Sequence, residues 1–341
     1  MTFLLSIVSP VYNEEQVIQK FYDVVSAELD KLDKTTYSWE LILVNDGSKD
    51  GSLDVMRSIA ERDSRVRIVD FSKNYGTQIA ASAGIEHACG DVVITIDSDL
   101  QQPPRMIHEM VRLWREGYHH VYTCRTYDES RSWFSQWKSD RFQDMLNFLS
   151  GLYLPNGISD FRLLDRRVVD ELNALRESPR YLRGLIYWLG FKQTGIPFAF
   201  DKRAAGETKF TLRHLVNLAF DGIIGFTTKP LRWISYFGMS IALLGILYAS
   251  YITVRSFVYS DVPGWSTIVV AILVLGGVQL LALGIIGEYV GRIYMATKHR
   301  PLYVVQERIN FEQIAEESSK TNSQQSILSM KEKRTKSAKS A

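Results

Sequence analysis

The chain has 341 residues, with 40 Lys+Arg against 38 Asp+Glu and a formal net charge of +2. Charged residues are 23% and hydrophobic ones 46%, which excludes a wholly disordered chain, and the balanced charge gives no support to nucleic-acid binding. Cys89 and Cys124 are the two cysteines, too few for a disulfide framework or a zinc cluster, and a reducing compartment is the simpler reading. A mean hydropathy of −0.08 is ordinary for a soluble protein, but here it averages two unlike halves.

The first apolar patch, FLLSIVSPVY, has no basic stretch before it, and Asn13-Glu14-Glu15 follow at once. It reads as a first strand rather than a signal peptide. Short apolar or β-branched runs at Leu4–Pro10, Leu41–Asp46, Val66–Phe71, Val92–Asp97 and Val121–Thr123 read as buried parallel strands. Helical stretches lie between them near Glu15–Leu32, Ser52–Asp63, Thr77–His87 and Arg105–Glu116. This alternation implies a doubly wound, mostly parallel α/β sheet with its ligand crevice at the carboxyl ends of the strands. Polar residues cluster at those ends, as Asn13-Glu14, Asn45-Asp46-Gly47-Ser48 and Asp97-Ser98-Asp99.

Familiar nucleotide and metal motifs are missing. The first strand leads into Pro10-Val11-Tyr12-Asn13-Glu14-Glu15 rather than G-x-G-x-x-G, and there is no phosphate loop ending in G-K-[ST]. Asp46–Gly51 imitates the start of an EF-hand, but Arg57 stands where the bidentate Glu is needed. His119-His120 reads as a surface pair. The strongest chemical signal is Asp97-Ser98-Asp99, two carboxylates on alternate residues after a buried strand. Such a pair suits Mg2+ or Mn2+, hard cations that share their shell with substrate phosphates. A solvated acidic turn is the competing reading.

Two long runs follow. Trp233–Val254 and Val262–Gly287, of 22 and 26 residues, contain no Asp, Glu, Lys or Arg. Each is long enough to cross a hydrocarbon core of about 30 Å. Aromatic residues near their ends favour a transmembrane hairpin over two buried core helices. Lys229 and Arg232 precede the hairpin and Arg292, Lys298 and Arg300 follow it, while the loop between holds only Arg255 and Asp261. The positive-inside bias places the N-terminal region in the cytoplasm, on a multi-pass protein of the cytoplasmic membrane. After about Glu317 the chain is basic and polar and reads as disordered, either solvated or touching anionic lipid. The expected organisation is a catalytic domain over 1–211, an amphipathic juxtamembrane segment over 212–232 and a hairpin over 233–290. A cytoplasmic segment over 291–317 and a basic tail over 318–341 complete it.

Pro10–Glu15, Val44–Ser52, Asp97–Pro104, Ser159–Arg167, Arg203–Phe210 and Gly287–Arg292 resemble, in this order, the motif blocks of glycosyltransferase family 2. More narrowly, the chain is similar to the polyprenyl-phosphate glycosyltransferases, the dolichol-phosphate mannose synthase-like group that includes bactoprenol glucosyltransferases. The resemblance covers about residues 3–306. Two positions depart from the pattern: Gln102 stands where Asp or His is frequent, and Gln136 where a basic residue is frequent.

The resemblance implies a GT-A-like fold and inverting transfer of a sugar from a nucleotide sugar to polyprenyl phosphate. Glucose from UDP-glucose is the leading reading, and a GDP-mannose-dependent mannose synthase is the alternative. Pro10, Tyr12, Glu14, Asp46, Asp97 and Ser98 match donor-binding positions. Asp97, Asp99 and Gln101 match the site for Mg2+ or Mn2+, and Asp160 the acidic residue near the acceptor. Arg125, Ser139, Arg203 and Lys209 match regions that bind the acceptor phosphate. The resemblance also admits a homo-oligomer. Read from the residues alone, the competing readings are a helix cap or an ion pair with Arg162 for Asp160, and a solvated surface pair for Arg203 and Lys209. A processive polysaccharide synthase is disfavoured, since Lys229 stands where its Q-x-x-R-W motif needs Gln. A transporter would need ionisable residues within the spans, and a non-catalytic membrane scaffold is the remaining contrast.

Overall fold

A computed structural model describes residues 2–125, 155, 157–175, 177, 180–198, 227–258 and 265–311. In chain order it contains β1 (Phe3–Val11), α1 (Ile18–Leu29), β2 (Tyr37–Asn45), α2 (Ser52–Arg62), β3 (Val66–Phe71), α3 (Thr77–His87), β4 (Val92–Thr95), α4 (Met106–Arg115) and β5 (His120–Arg125). Then come β6 (Ile158–Asp165), α5 (Arg166–Ala174), α6 (Leu182–Trp188) and β7 (Gln193–Phe198). The long helices α7 (Lys229–Val258) and α8 (Trp265–Thr297) and the strand β8 (Val305–Ile309) follow.

Among the described residues the strands form one sheet in the order β7-β5-β6-β4-β1-β2-β3-β8. The central strands β4, β1, β2 and β3 are parallel, each reached through a helical crossover. Side chains alternate between two cores. Leu5, Ile7, Leu41 and Leu43 pack on one face with Phe21 and Met56, and Val8, Ile42 and Val44 on the other with Ala80 and Leu185. This is the doubly wound arrangement that the alternation of runs implied, and the GT-A-like fold that the resemblance implied.

Three features differ from the sequence expectation. β5 is parallel to β7 but antiparallel to its inner neighbour β6. Ile158 pairs with Cys124, so the chain re-enters the sheet beside the carboxyl end of β5 and runs back against both β5 and β4. His120 is not on the surface: it is 2% exposed, its Nδ1 lies 3.0 Å from Gln193 Oε1, and burial pushes its pKa down to about 3. The segment after the second apolar run contains a strand, β8, which closes the β3 edge antiparallel. Asn310 holds it there, donating to the carbonyls of Ala60 and Val66 at 2.9 and 2.8 Å.

α7 and α8 have 30 and 33 residues, about 45 and 50 Å at the usual rise, and extend past the charge-free runs. Both are long and apolar enough to cross a membrane. Large apolar side chains such as Leu244, Leu247, Leu280 and Leu281 stand exposed on them. Residues 212–226 and 312–341, which hold the expected amphipathic segment and basic tail, lie outside the described residues.

Gly84 sets the approach of α3 to the sheet. A Cβ there would lie 2.2 Å from Val8 Cγ1 and 3.2 Å from Val44 Cγ2. Gly84→Ala is therefore expected to cost about 1–3 kcal/mol by overpacking. Thermal unfolding of the purified protein reads this as a lower Tm; an unchanged Tm would contradict the close approach.

Candidate active site

The carboxyl ends of β1, β2 and β4 lie side by side with the start of β6, and most of the expected site residues gather there. The loop after β1 interlocks with the loop after β2. Asn13 N–H donates to Ser48 Oγ at 3.0 Å, Lys49 N–H to Asn13 Oδ1 at 2.8 Å, and Glu14 N–H to Ser52 Oγ at 2.9 Å. Asn13 adopts φ 54°, a left-handed conformation that Asn tolerates well. Gly47, at φ 64°, is pressed against the chain at 73–74, where a Cβ would lie 2.4 Å from the Lys73 carbonyl carbon. The two polar motifs therefore form one rigid rim, with Pro10, Tyr12 and Glu14 along it.

Asp46 and Ser98 prove to be braces of that rim. Asp46 is 2% exposed, and its carboxylate accepts from the Tyr75 and Gly76 amides at 2.7 and 2.9 Å. Burial raises its pKa, and the two amides oppose the rise. Ser98 is also buried and donates to the Pro10 carbonyl at 3.1 Å, tying the Asp97–Asp99 turn to β1. That turn ends with Leu100 at φ 58°, unusual for a bulky residue, so backbone strain accompanies the placement of the two carboxylates.

Asp97 is fixed by Gln102, which is 2% exposed. The Gln102 amide nitrogen donates to Asp97 Oδ2 at 2.6 Å and to Ser159 Oγ at 3.1 Å, while its oxygen accepts from the Asp97 N–H at 3.0 Å. Burial, then the charges of Asp160 and Asp99, push the Asp97 carboxyl up to about 7. Asp99 Oδ1 accepts from the Gln101 N–H at 3.1 Å. Oxygen donors crowded with uncompensated negative charge fit a hard divalent cation. Among the described residues no three His, Cys, Asp or Glu form a cage by themselves. A cation here would be held by Asp97, Asp99 and Gln101 and completed by water or substrate oxygens.

Asp160 opens β6 as part of a strand and caps no helix. The ion-pair alternative is the one realised: Arg162 Nη2 lies 2.7 Å from Asp160 Oδ1. Arg183, at the start of α6, adds a bidentate pair, Nε to Oδ1 at 2.8 Å and Nη2 to Oδ2 at 2.7 Å. Gln78 on α3 reaches Oδ2 at 3.4 Å. Burial would raise the Asp160 pKa, but Arg183 and Arg162 outweigh it and hold the carboxyl well below the usual range. Thr95 Oγ1 donates to the Asp160 carbonyl at 2.5 Å, which sets this carboxylate beside the end of β4.

Arg125 closes β5 in register with Phe198, and nothing is described of its side chain. Ser139, Arg203 and Lys209, with Gln136, lie outside the described residues. The sequence reading missed Gln78 and Arg183 altogether and saw Gln102 only as a departure. The signal for Gln102 was local, an amide five residues after Asp97. Arg183 lies 23 residues from Asp160 on another element and left no spacing to read.

Gln102→Ala would leave the Asp97 N–H without its acceptor and free the carboxylate to turn. The expected cost is about 1–3 kcal/mol, the scale for a polar group stranded in a protein interior. Thermal unfolding should show it; a Tm equal to wild type would mean that Gln102 does not hold Asp97.

Residues 6–172 match the model of glycosyl transferase family 2, and residues 229–293 match the GtrB C-terminal hairpin. The uncharacterized glycosyltransferase YkcC of Bacillus subtilis is 43% identical over 90% of this chain and 94% of its own length. The uncharacterized glycosyltransferase sll0501 of Synechocystis is 43% identical over 89% of this chain and 95% of its own. The bactoprenol glucosyl transferase of Shigella phage SfV is 36% identical, covering 88% and 97%. Likeness of that depth, along nearly whole chains and through both the sheet and the apolar helices, makes this chain a member of glycosyltransferase family 2, a glycosyltransferase with a GtrB-type hairpin.

Proposed function

We propose that this glycosyltransferase moves a glucosyl group from UDP-glucose to the phosphate of polyprenyl phosphate, at the cytoplasmic face of a membrane crossed by α7 and α8. The observation that carries the reading is the convergence of Asp97, Asp99 and Asp160 at one sheet end, in a chain with two exposed apolar helices of membrane-crossing length. Relatives named bactoprenol glucosyl transferase, at 34–36% identity, support the choice of sugar and acceptor.

The residues divide the work. Pro10, Tyr12 and Glu14 line the rim where the nucleoside would lie, braced from beneath by Asp46 and Ser98. Asp97, Asp99 and Gln101 would hold a divalent cation, Mg2+ or Mn2+, which when bound would supply positive charge to offset that developing on the departing diphosphate. Asp160, kept ionised by two guanidinium groups, is a poor proton acceptor. It need not be a good one, because a phosphate monoester with a second pKa of about 6 is already largely dianionic at neutral pH. Asp160 instead orients the sugar or the acceptor. A phosphate oxygen attacks the anomeric carbon, the bond to the nucleoside diphosphate breaks with its electron pair, and one displacement inverts the configuration. Arg125, Ser139, Arg203 and Lys209 are the proposed holders of the acceptor phosphate.

Paired variants test these roles. Asp99→Ala should lower kcat at least about 100-fold, the scale for losing a main charge-stabilising element. Asp160→Asn should impair transfer while UDP and Mn2+ affinities stay within a few-fold in calorimetry. Full turnover by Asp99→Ala, or a large loss of UDP affinity with normal transfer in Asp160→Asn, would overturn the respective assignment.

A further inference from the structure

We propose that Arg183 is a phosphate ligand of the transfer site, held in place by Asp160. The inference rests on the transfer reading only for which phosphate is bound. Asp160 already has a buried counter-ion: Arg162 is 3% exposed, pairs with it at 2.7 Å and also donates to the Ser159 carbonyl at 3.0 Å. One carboxylate needs one guanidinium. Arg183 is a second, and its side chain is 32% exposed. Arg183 is therefore a second guanidinium on one carboxylate, placed at an edge that solvent or a ligand can reach.

The geometry says which atoms remain. Asp160 takes the Nε–Nη2 edge of Arg183 at 2.8 and 2.7 Å. Among the described residues no hydrogen-bond partner takes the other nitrogen, Nη1. A planar guanidinium gripped along one edge is fixed in direction and still presents donors along another, the preorganised fork suited to phosphate oxygens. The grip is itself anchored. Gln78 touches Asp160 at 3.4 Å through its amide nitrogen, and its oxygen accepts from the Leu182 N–H at 3.3 Å, one residue before Arg183. Burial works against the charge on Arg183, but Asp160 more than offsets it, so this cation persists at any working pH.

The phosphate could be the donor's diphosphate or the acceptor's monoester, and the experiment separates them. Full-length wild type, Arg183→Gln and Arg183→Lys are placed in nanodiscs of neutral lipid. Binding of pyrophosphate, UDP and uridine is measured by calorimetry, and KM is measured for polyprenyl phosphate. Arg183→Gln should raise at least one phosphate constant tenfold or more, with uridine affinity unchanged and part of the loss recovered in Arg183→Lys. A change in UDP and pyrophosphate assigns Arg183 to the donor; a change in KM for polyprenyl phosphate assigns it to the acceptor. If every constant stays within twofold of wild type while only kcat or Tm falls, Arg183 is merely the counter-ion of Asp160 and the proposal is overturned. Should wild type fail to glycosylate polyprenyl phosphate, the acceptor reading fails, and the pyrophosphate arm still decides on Arg183. A tenfold loss there supports it, and no difference, or no binding by either protein, overturns it.

Discussion

Asp97 lies half-buried just past the end of β4 with Asp99 and Asp160 close enough to repel it, so three partly buried carboxylates crowd one sheet end. Burial and mutual repulsion push one of them up to about 7, and the surroundings are arranged to contain that cost. Gln102 clamps Asp97 from both its amide and carboxyl sides. Arg162 and Arg183 neutralise Asp160. The remaining negative charge, on Asp97 and Asp99, is what a divalent cation and a substrate diphosphate would share. A parallel sheet suits this purpose because its strand ends are rigid, and β6 enters antiparallel at the level that sets Asp160 beside Asp97.

The same sheet is tied to the apolar helices. α8 ends at Thr297 and β8 begins at Val305, so the intervening residues 298–304 span at most about 25 Å when fully extended. β8 is then fastened to β3 by the ladder and by Asn310. The Arg57–Glu307 pair at 2.6 Å is half-exposed and adds little by comparison. At the same foot of the hairpin, Tyr289 on α8 donates to the Thr227 carbonyl just before α7. The catalytic sheet is therefore leashed closely to the foot of the hairpin.

Much of this was legible in the sequence where one local pattern decided the outcome. Met106–Arg115 is a helix because its apolar residues Ile107, Met110 and Val111 are spaced for one face, and Val66–Phe71 a strand because its run is buried on both faces. The Asp97–Asp99 turn was readable because it follows such a run. What escaped depended on partners distant in sequence. β8 pairs with β3 across more than 200 residues, and its VQERI pattern is too short and charged to signal a strand unaided. His120 looks like half of a polar pair, yet it is buried between β6 and β7, which the sequence does not place. Asp46 and Ser98 stand among the donor candidates, and the packed loops add that their oxygens also bond the backbone. Arg183 reaches Asp160 from a different element, and no single-chain periodicity predicts that meeting.

The activity proposed for the carboxylate-lined sheet end is transfer of a sugar to a lipid-borne phosphate. Its most direct measurement incubates the purified full-length protein in nanodiscs with radiolabelled UDP-glucose and polyprenyl phosphate, with EDTA and then with Mn2+ restored. Label is expected in an organic-phase lipid phosphate bearing a β-linked glucose, lost in EDTA and recovered with Mn2+. Label that stays with water-soluble products, or lipid labelling indifferent to EDTA, would contradict it.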